Sequence, residues 1–329
     1  MIDDMGKTTN RWQTPAGVKL AREVFKRLVV GQSLSDLNLG QYEGRVDLRG
    51  IRAPQVTKEE LGSFRGWSVE KLQGYLEFRN VRLENLDFSR AELRYCRFFT
   101  SRIVNCRFDG ARCESWGLWG VDVINSSFRG ASLRDAALGP WYEGRGSTYR
   151  SVDFSRADIR GATSSSATYV DCDFSNSRLD KIDFQSSSFV RCRFAGSVRE
   201  VLFYDLAFGT KKQNPNLMED VDFSEAQLHW VAFRRLNLDR VRLPEDKNHL
   251  IVKNYRCVLQ RALAAVKDDE SRHGRGLRRV LANYLKWAGP KQAIGVFNRL
   301  DFAEAWGKEG EEFAVELLRR AEQDCSTLQ

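Results

Sequence analysis

Apolar residues recur at every fifth position through the middle of the chain. From Phe78 to Leu138 the series is unbroken, through Leu83, Phe88, Leu93, Phe98, Ile103, Phe108, Cys113, Leu118, Val123, Phe128 and Leu133. Two residues before each member lies a second, mostly small residue, as in Ala91 and Cys96. A five-residue period differs from the ~3.6 residues of a helix and the ~2 residues of a flat strand. It predicts a chain that turns a corner every five residues and points one large and one smaller side chain inward on each side.

The same repeat continues beyond two interruptions. It resumes one residue out of phase at Tyr149, Phe154, Ile159, Ser164, Tyr169, Phe174, Leu179, Phe184, Phe189 and Phe194. It returns to the first phase at Phe203, Phe208, Phe223, Leu228, Phe233, Leu238 and Leu243. Residues 139–148 and 209–219 interrupt the repeat, and we predict projecting loops there.

A resemblance to the pentapeptide-repeat family is carried by the segments LDFSRAELRYCRF, VDFSRADIRGA, VDCDFSNSRLDKIDF and VDFSEAQL. The resemblance implies a mainly β solenoid, a right-handed quadrilateral β-helix with four pentapeptides per coil. Val46 and Leu48 match the pattern too, so we predict this β-helix over residues 46–243, with an insertion at about 53–75. Because each coil contacts only its neighbours, both ends of such a stack need a cover.

A helix in residues 1–45 is predicted as the cover of the first coil. Thr14 and Pro15 precede apolar residues at helical spacing, which are Val18, Ala21, Val24, Phe25, Leu28 and Val29. Proline suits the first turn of a helix, and threonine suits the position before it.

Residues 244–329 change to the helical period. The apolar faces that follow one another are Ile251, Tyr255, Val258, Leu259, Ala262 and Val266, then Leu277, Val280, Leu281, Tyr284 and Leu285, then Phe313, Leu317, Leu318 and Ala321. The pair Gly289 and Pro290 separates the second helix from 291–299. This pattern predicts an α-helical module. It is either a folded cap, a dimerisation element or a dedicated partner-binding domain.

Composition changes this picture little. The net charge of +8 is shared about evenly between 1–73, 74–243 and 244–329, whereas a phosphate-binding face concentrates its Lys and Arg. No apolar stretch approaches the roughly eighteen residues of a membrane helix, and the first residues lack an apolar signal core. A cytoplasmic protein without membrane contact is therefore expected.

The 7 cysteines form no CxxC pair and favour reduced thiols, with Cys172 and Cys192 as small core residues of adjacent coils.

No catalytic, cofactor-binding or metal-binding residue is predicted. Catalysis needs reactive groups in one concavity, and a filled coil offers none. The phosphate-binding patterns GxGxxG and Walker A are absent from the sequence. His229, His249 and His273 are scattered, and we expect them to be surface or capping groups. The sequence therefore favours a non-catalytic protein without a cofactor.

Four aromatic residues are the candidate partner-binding site. Phe99 and Trp119 occupy the same outward position twenty residues apart, while Trp141 and Tyr142 lie in the loop where the next coil would continue. Exposed aromatics beside a projecting loop indicate an interface, either with another protein or with a second copy of the chain. The alternative is that the loop folds back and buries these rings against the rod.

Two other functions are considered. A nucleic-acid-binding protein would use Lys211, Lys212, Arg234, Arg235, Arg275, Arg278 and Arg279.

Some members of the pentapeptide-repeat family resemble duplex DNA in shape and charge and protect bacterial topoisomerases. DNA mimicry requires an acidic surface, so the net charge of +8 disfavours that function here. Stacked columns such as Arg94, Glu114 and Arg134 compensate each other and form no basic stripe. We therefore expect a macromolecule-binding scaffold whose partner is a protein.

Overall fold

The computed structural model describes residues 10–54, 67–70, 73–205, 216–290 and 292–327. Its middle part is built from short strands that pair in parallel with the next turn of the chain. Phe78 pairs with Phe98, and Phe98 pairs with Leu118. This step of twenty residues equals four five-residue units per coil, as the resemblance to the pentapeptide-repeat family implies.

Left-handed residues turn the corners of each coil. Positive φ angles recur every five residues from Asn80 to Asp135, through Asn85, Arg90, Tyr95, Thr100, Asn105, Gly110, Ser115, Gly120, Asn125 and Gly130. Asparagine, aspartate and glycine tolerate this backbone region best, which explains why they occupy many of the corners. Asn105 also donates from Nδ2 to Asn85 Oδ1 at 2.6 Å, so corner side chains join successive coils.

The strands form several sheets along the stack. The strands of the longest sheet are Arg82–Glu84, Arg102–Val104, Asp122–Ile124, Thr148–Arg150, Thr168–Val170, Ser188–Val190 and Met218–Glu219. The other strands before Pro244 are Gln41–Tyr42, Arg45–Asp47, Trp67–Glu70, Gln73–Arg79, Leu86–Asp87, Cys96–Phe99, Gly117–Trp119, Leu179–Asp180, Asp183–Gln185, Arg193–Arg199, Leu202–Tyr204, Val221–His229, Ala232–Arg234 and Val241–Arg242. Between the strands, single bridges such as that from Arg112 to Ser132 continue the parallel pairing.

Two departures from the twenty-residue step account for the changes of phase in the sequence. Val123 pairs with Tyr149, because the loop 139–148 lengthens that coil. Phe184 pairs with Phe203, which is one residue less than a full step. The repeat thus returns to its first phase without breaking the stack.

The predicted insertion contains a β-hairpin. Trp67–Glu70 pairs antiparallel with Gln73–Arg79, and the second of these strands continues into the repeat. Residues 55–66 and 71–72 of the insertion lie outside the described part of the chain, as do residues 206–215, which include Phe208 and most of the second loop.

Stacked rings fill the interior of the rod. One column has neighbouring ring centroids 4.6–5.5 Å apart and runs through Phe88, Phe108, Phe128, Phe154, Phe174, Phe194 and Phe223. Each of these rings is at most 2% exposed. Rings on adjoining sides meet edge to face, as Phe174 does with Tyr169. Burial of such a side chain stabilises the fold by about 1.5–3 kcal/mol. The prediction that these central residues point inward is confirmed.

Cysteines occupy small positions of the same core. The buried free cysteines are Cys96, Cys106, Cys113, Cys172 and Cys192. The prediction that Cys172 and Cys192 are core residues without a disulfide is confirmed. Burial raises the pKa of Cys96, and it raises the pKa of Cys106 to about 12. Both thiols are therefore protonated at neutral pH and unsuited to nucleophilic chemistry.

The first coil is covered by helix α1 (Pro15–Leu28). Thr14 Oγ1 accepts a hydrogen bond from the Gly17 amide at 3.0 Å and so caps the helix. Val24 and Phe25 are buried in the same core as the first coils. Ahead of the helix, the 3-10 turn Arg11–Gln13 places Trp12, whose Nε1 donates to the Arg49 carbonyl at 2.8 Å.

After Pro244 the chain forms α2 (Tyr255–Ala265), α3 (Arg272–Trp287) and α4 (Arg299–Ser326) around a core of their own. Helix α4 bends at Gly307, whose φ is 73°. No helix in the described part of the chain is long and apolar enough to cross a membrane.

One of the two strands in this module lies where a helical face was predicted. His249–Val252 pairs antiparallel with Gly295–Asn298. The helical prediction is therefore wrong for Ile251, whereas no helical face was predicted within 291–299. Short apolar runs fit either period, and here pairing between distant segments decides the outcome.

The expectation of reduced thiols throughout is also wrong for one pair. Cys257 in α2 and Cys325 in α4 form a disulfide, with their Cα atoms 6.1 Å apart. The packing of α2 against α4 brings together cysteines that are 68 residues apart in sequence. Nothing in their spacing along the chain indicates this contact.

Polar side chains of the module complete the hydrogen bonds of the last coil. Asn298 Nδ2 donates to the Leu228 carbonyl at 2.7 Å, and the Leu228 amide donates to His249 Nε2 at 3.0 Å. The Trp230 amide donates to Asp301 Oδ2 at 2.7 Å. Gln292 Nε2 donates to the Phe233 carbonyl at 2.9 Å. The module thus covers the open edge that the end of a stack would otherwise expose.

The histidines show how this junction is held. His249 is buried, and because its Nε2 accepts a hydrogen bond, its Nδ1 carries the proton toward Asp246 at 2.9 Å. His229 Nδ1 lies 3.4 Å from Asp301 Oδ1. Burial raises the pKa of Asp301, while the Trp230 amide and His229 act in the opposite direction. The prediction of capping groups is confirmed for His249, which is fully engaged in structural contacts.

Candidate interaction surfaces

Three of the four candidate aromatics come together on the outside of the rod. The rings of Phe99 and Trp119 are stacked with centroids 4.8 Å apart, and the Tyr142 ring lies 5.2 Å from that of Phe99. We call Phe99, Trp119 and Tyr142 the aromatic ladder. All three are partly buried rather than fully exposed.

The ladder is held by its own chain. The Arg79 guanidinium lies 4.0 Å from the Phe99 ring centroid and donates to the Tyr142 hydroxyl at 3.1 Å. The Trp119 ring covers Gly117, where an added Cβ would come within 2.0 Å of the indole. Glycine at position 117 is therefore required by the close approach of this ring. The ladder is a fixed platform with one face against the rod.

The first loop is tied down beside the ladder. Arg145 donates to the Gly120 carbonyl at 2.6 Å and pairs with Asp122 at 3.2 Å. Tyr142 and Arg145 form an antiparallel bridge, which closes the tip of the loop. Trp141 keeps 39% of its surface exposed and has no ring contact with the ladder among the described residues. The loop therefore folds back with Tyr142 and leaves Trp141 outward.

Opposite charges in successive coils of the rod compensate each other, as the stacked columns of charged residues in the sequence predict. Glu114 lies 3.3 Å from Arg94 and 4.0 Å from Arg134. Arg240 pairs with Asp220 at 2.6 Å, one coil below it. Exposed pairs of this kind contribute little to stability, about 0–1 kcal/mol each. Their effect on recognition is to leave this surface nearly neutral.

The basic residues of the nucleic-acid hypothesis that the structure describes lie in two separate places, at the last coil and in α3. Lys211 and Lys212 lie outside the described residues. The Arg234 guanidinium lies 5.0 Å from the Trp287 ring centroid, and Arg235 lies on the neighbouring corner of the last coil.

The other three basic candidates lie near the first turns of α3. Arg275 and Arg278 pair with Glu270 at 3.7 and 3.2 Å, while Arg279 is exposed. Residue 279 lies about 12 Å along the helix axis from the end of α3 that faces the last coil, at ~1.5 Å per residue.

Sequence reasoning missed the surface where α2, α3 and the last coil meet. Its cationic members are Arg235, Arg256 and Lys286. The signal that could have revealed it is the composition of α3, RHGRGLRRVLANYLKW, which contains no acidic residue. Among the described residues, no group of His, Cys, Asp and Glu side chains could hold a metal ion.

Comparisons with known proteins found matches among solved structures alone. No family model and no curated protein matches this sequence. Among solved structures, HetL, a pentapeptide repeat protein involved in heterocyst differentiation regulation from the cyanobacterium Nostoc, is 18% identical, with a TM-score of 0.20 over 50% of this chain and 82% of that chain. Full-length QnrB1, a plasmid-mediated fluoroquinolone resistance protein, is 14% identical, with a TM-score of 0.21 over 49% of this chain and 84% of that chain.

A third structure is the pentapeptide repeat protein Rfr23 from the cyanobacterium Cyanothece. It is 12% identical, with a TM-score of 0.20 over 34% of this chain and 82% of that chain. Because these TM-scores are low, the likeness rests on the repeat and register of the chain itself. In its five-residue repeat and in the twenty-residue step between its coils, this chain is similar to the pentapeptide-repeat proteins.

Proposed function

We propose that this chain is a non-catalytic scaffold that binds another protein through its outer surface. The observation that carries the proposal is the column of buried rings from Phe88 to Phe223, which fills the interior of the rod along its described residues. A catalytic site needs a concavity in which several reactive groups converge. The four-sided, right-handed course of the coils, as in the family that the chain resembles, is part of the same proposal.

Trp141 is the residue that we propose as the anchor for the partner. Tryptophan buries a large area at low cost in conformational entropy, and such residues dominate binding energy at protein interfaces. The aromatic ladder and the Arg145 contacts hold the loop on a rigid support. A preformed support reduces the ordering that binding would otherwise require.

Replacing Trp141 should separate binding from stability. In a capture experiment with immobilised full-length chain and nuclease-treated native lysate, we expect Trp141→Ser to weaken retention of the partner about tenfold, or ~1.4 kcal/mol. Its melting temperature should stay unchanged, because Trp141 makes no ring contact with the ladder among the described residues. Tyr95→Ser is the matched control, since Tyr95 is also 39% exposed.

Trp119→Ser gives a contrasting result. It removes a ring stacked on Phe99 and covering Gly117, so we expect a loss of roughly 0.5–1.5 kcal/mol of stability in addition to weaker binding. If Trp141→Ser and Tyr95→Ser retain the partner equally well, the loop is not the binding site. If nuclease treatment abolishes capture by the unmodified chain, the partner is nucleic acid and the proposal is wrong.

A further inference from the structure

An open groove of about 800 Å³ lies between α2, α3 and the last coil. Its floor is aliphatic and includes Leu263 from α2 and Leu285 from α3. Its rim carries Arg235 from the last coil, Arg256 from α2 and Lys286 from α3. Separate parts of the chain thus place cations around one apolar strip.

The three cations of the rim have no ion pair with a described residue. Among the described residues, no carboxylate lies within 4.0 Å of the charged groups of Arg235, Arg256 or Lys286. Arg256 donates to the Ala288 carbonyl at 3.1 Å, and the Lys286 ammonium lies 5.2 Å from the Trp287 ring centroid. Neither contact neutralises the charge. Within the described residues, the rim thus carries three cations without an ion pair, as do single arginines of the rod such as Arg90 and Arg129, but here all three surround one apolar strip.

We infer that this groove binds an acidic, amphipathic segment of the partner protein, which presents apolar side chains to the floor and carboxylates to the rim. The inference rests on the proposed function, because it assumes a protein partner. Because the rim is positive, the bound segment should carry negative charge. Because the floor is aliphatic, the segment should also have an apolar face. Arginine can hold a carboxylate in a bidentate pair, which fixes the orientation of the bound segment.

A nucleic acid fits this groove less well. Single strands bind where bases stack on aromatic rings, and the residues that line the floor are aliphatic. A phosphate backbone would instead follow the widest run of cations, which includes the exposed Arg272 and Arg279 outside the groove. An acidic peptide would therefore depend on Arg256 and Lys286, whereas a nucleic acid would depend on Arg272 and Arg279.

The test uses purified full-length chain and fluorescence anisotropy with defined probes. The first probe is a labelled helical peptide of leucine, glutamate and alanine with its leucines on one face. The second probe has alanine in place of every leucine, and the third is a labelled single-stranded oligonucleotide of similar charge. We expect the first probe to bind about tenfold more tightly than the second.

Two double variants make the same change of charge at different places. Arg256→Glu with Lys286→Glu should weaken the first probe about tenfold, whereas Arg272→Glu with Arg279→Glu should change it by less than about twofold. Ala282→Trp fills the groove without altering charge and should also weaken the first probe about tenfold. This variant keeps the test valid if loss of the Arg256 bond to Ala288 affects folding.

Each other outcome has a definite meaning. Equal binding of the first two probes, or no effect of Ala282→Trp, would contradict the groove as an amphipathic site. Preferred binding of the oligonucleotide, weakened equally by both double variants, would assign this face to nucleic acid and overturn the inference. Failure of the first probe together with Trp141-dependent capture of a protein would refute the groove alone and leave the proposed function standing.

Discussion

Phe174→Asp should abolish folding of the rod. The Phe174 ring is 1% exposed and stacks between Phe154 at 5.0 Å and Phe194 at 4.8 Å. An aspartate here would bury a charge without a partner and would remove the ring, at a cost of several kcal/mol. Domains are stable by only about 5–15 kcal/mol in total. Because each coil supports its neighbours, a defect in the middle should disrupt both sides of the stack.

The measurement is soluble yield, circular dichroism and thermal melting of the full-length variant. Phe99→Asp is a matched control, since Phe99 belongs to the aromatic ladder on the outside. We expect the control to fold with a modest loss of stability from the broken ring contacts. A soluble Phe174→Asp protein with an unchanged melting temperature would show that Phe174 does not point inward.

Truncation after Pro244 should leave a β-rich rod that aggregates. The deletion removes His249, Gln292, Asn298 and Asp301, whose side chains bond the backbone of the last coil. The amides and carbonyls of that coil would become an exposed edge, which pairs readily with another copy. The helical signal in circular dichroism should largely disappear while the β signal persists, and light scattering should report growing assemblies.

A second variant separates the cover from the rest of the module. Asn298→Leu with Asp301→Leu retains the residues of all three helices, removes the Asn298 cap of α4, and leaves the Leu228 carbonyl and the Trp230 amide without these partners. A buried group without a partner costs about 1–3 kcal/mol, so this variant should melt earlier yet stay monomeric. A truncated chain that stays monomeric, or one that is soluble but loses its β signal, would contradict the role of the module as an edge cover.

The rod could be predicted because its information is local and repeated. The same pattern of apolar positions recurs in every coil, so a single exception such as Ser164 does not hide the series of inward-facing residues. The two changes of phase were visible in the sequence as well. The sequence limits the second change to the interval between Phe194 and Phe203, and pairing with the following coil shows a register irregularity between Arg193 and Ala195.

The C-terminal module is held by long-range contacts that its sequence does not indicate. The strand pairing of Ile251 with Val296 and the disulfide between Cys257 and Cys325 join segments that are distant in sequence. This segment has no sequence repeat, so neither its hydrophobic period nor the spacing of its cysteines indicates which distant residues come into contact. The apolar faces predicted α2, α3 and the second half of α4, but not the part of α4 before Phe313.

Some contacts of the candidate sites follow from the repeat, and others depend on contacts between distant residues. The stacking of Phe99 on Trp119 follows from the twenty-residue step, so the sequence could place these two together. The return of Tyr142 to this stack and the outward position of Trp141 depend on loop contacts such as that of Arg145 with Gly120. The groove was not predictable, because its rim combines Arg235 and Lys286 from different parts of the fold.

The central claim is that the coils stack in a twenty-residue register, which fills the interior and leaves recognition to the outer surface. Paired cysteines test this register directly. Arg112 and Ser132 face each other in parallel bridging, and neighbouring strands lie ~4.8 Å apart, a separation that a disulfide can span. Arg112→Cys with Ser132→Cys should therefore cross-link on mild oxidation, whereas Arg112→Cys with Arg134→Cys should not. Equal cross-linking of the two pairs, or cross-linking of the second pair alone, would contradict the register.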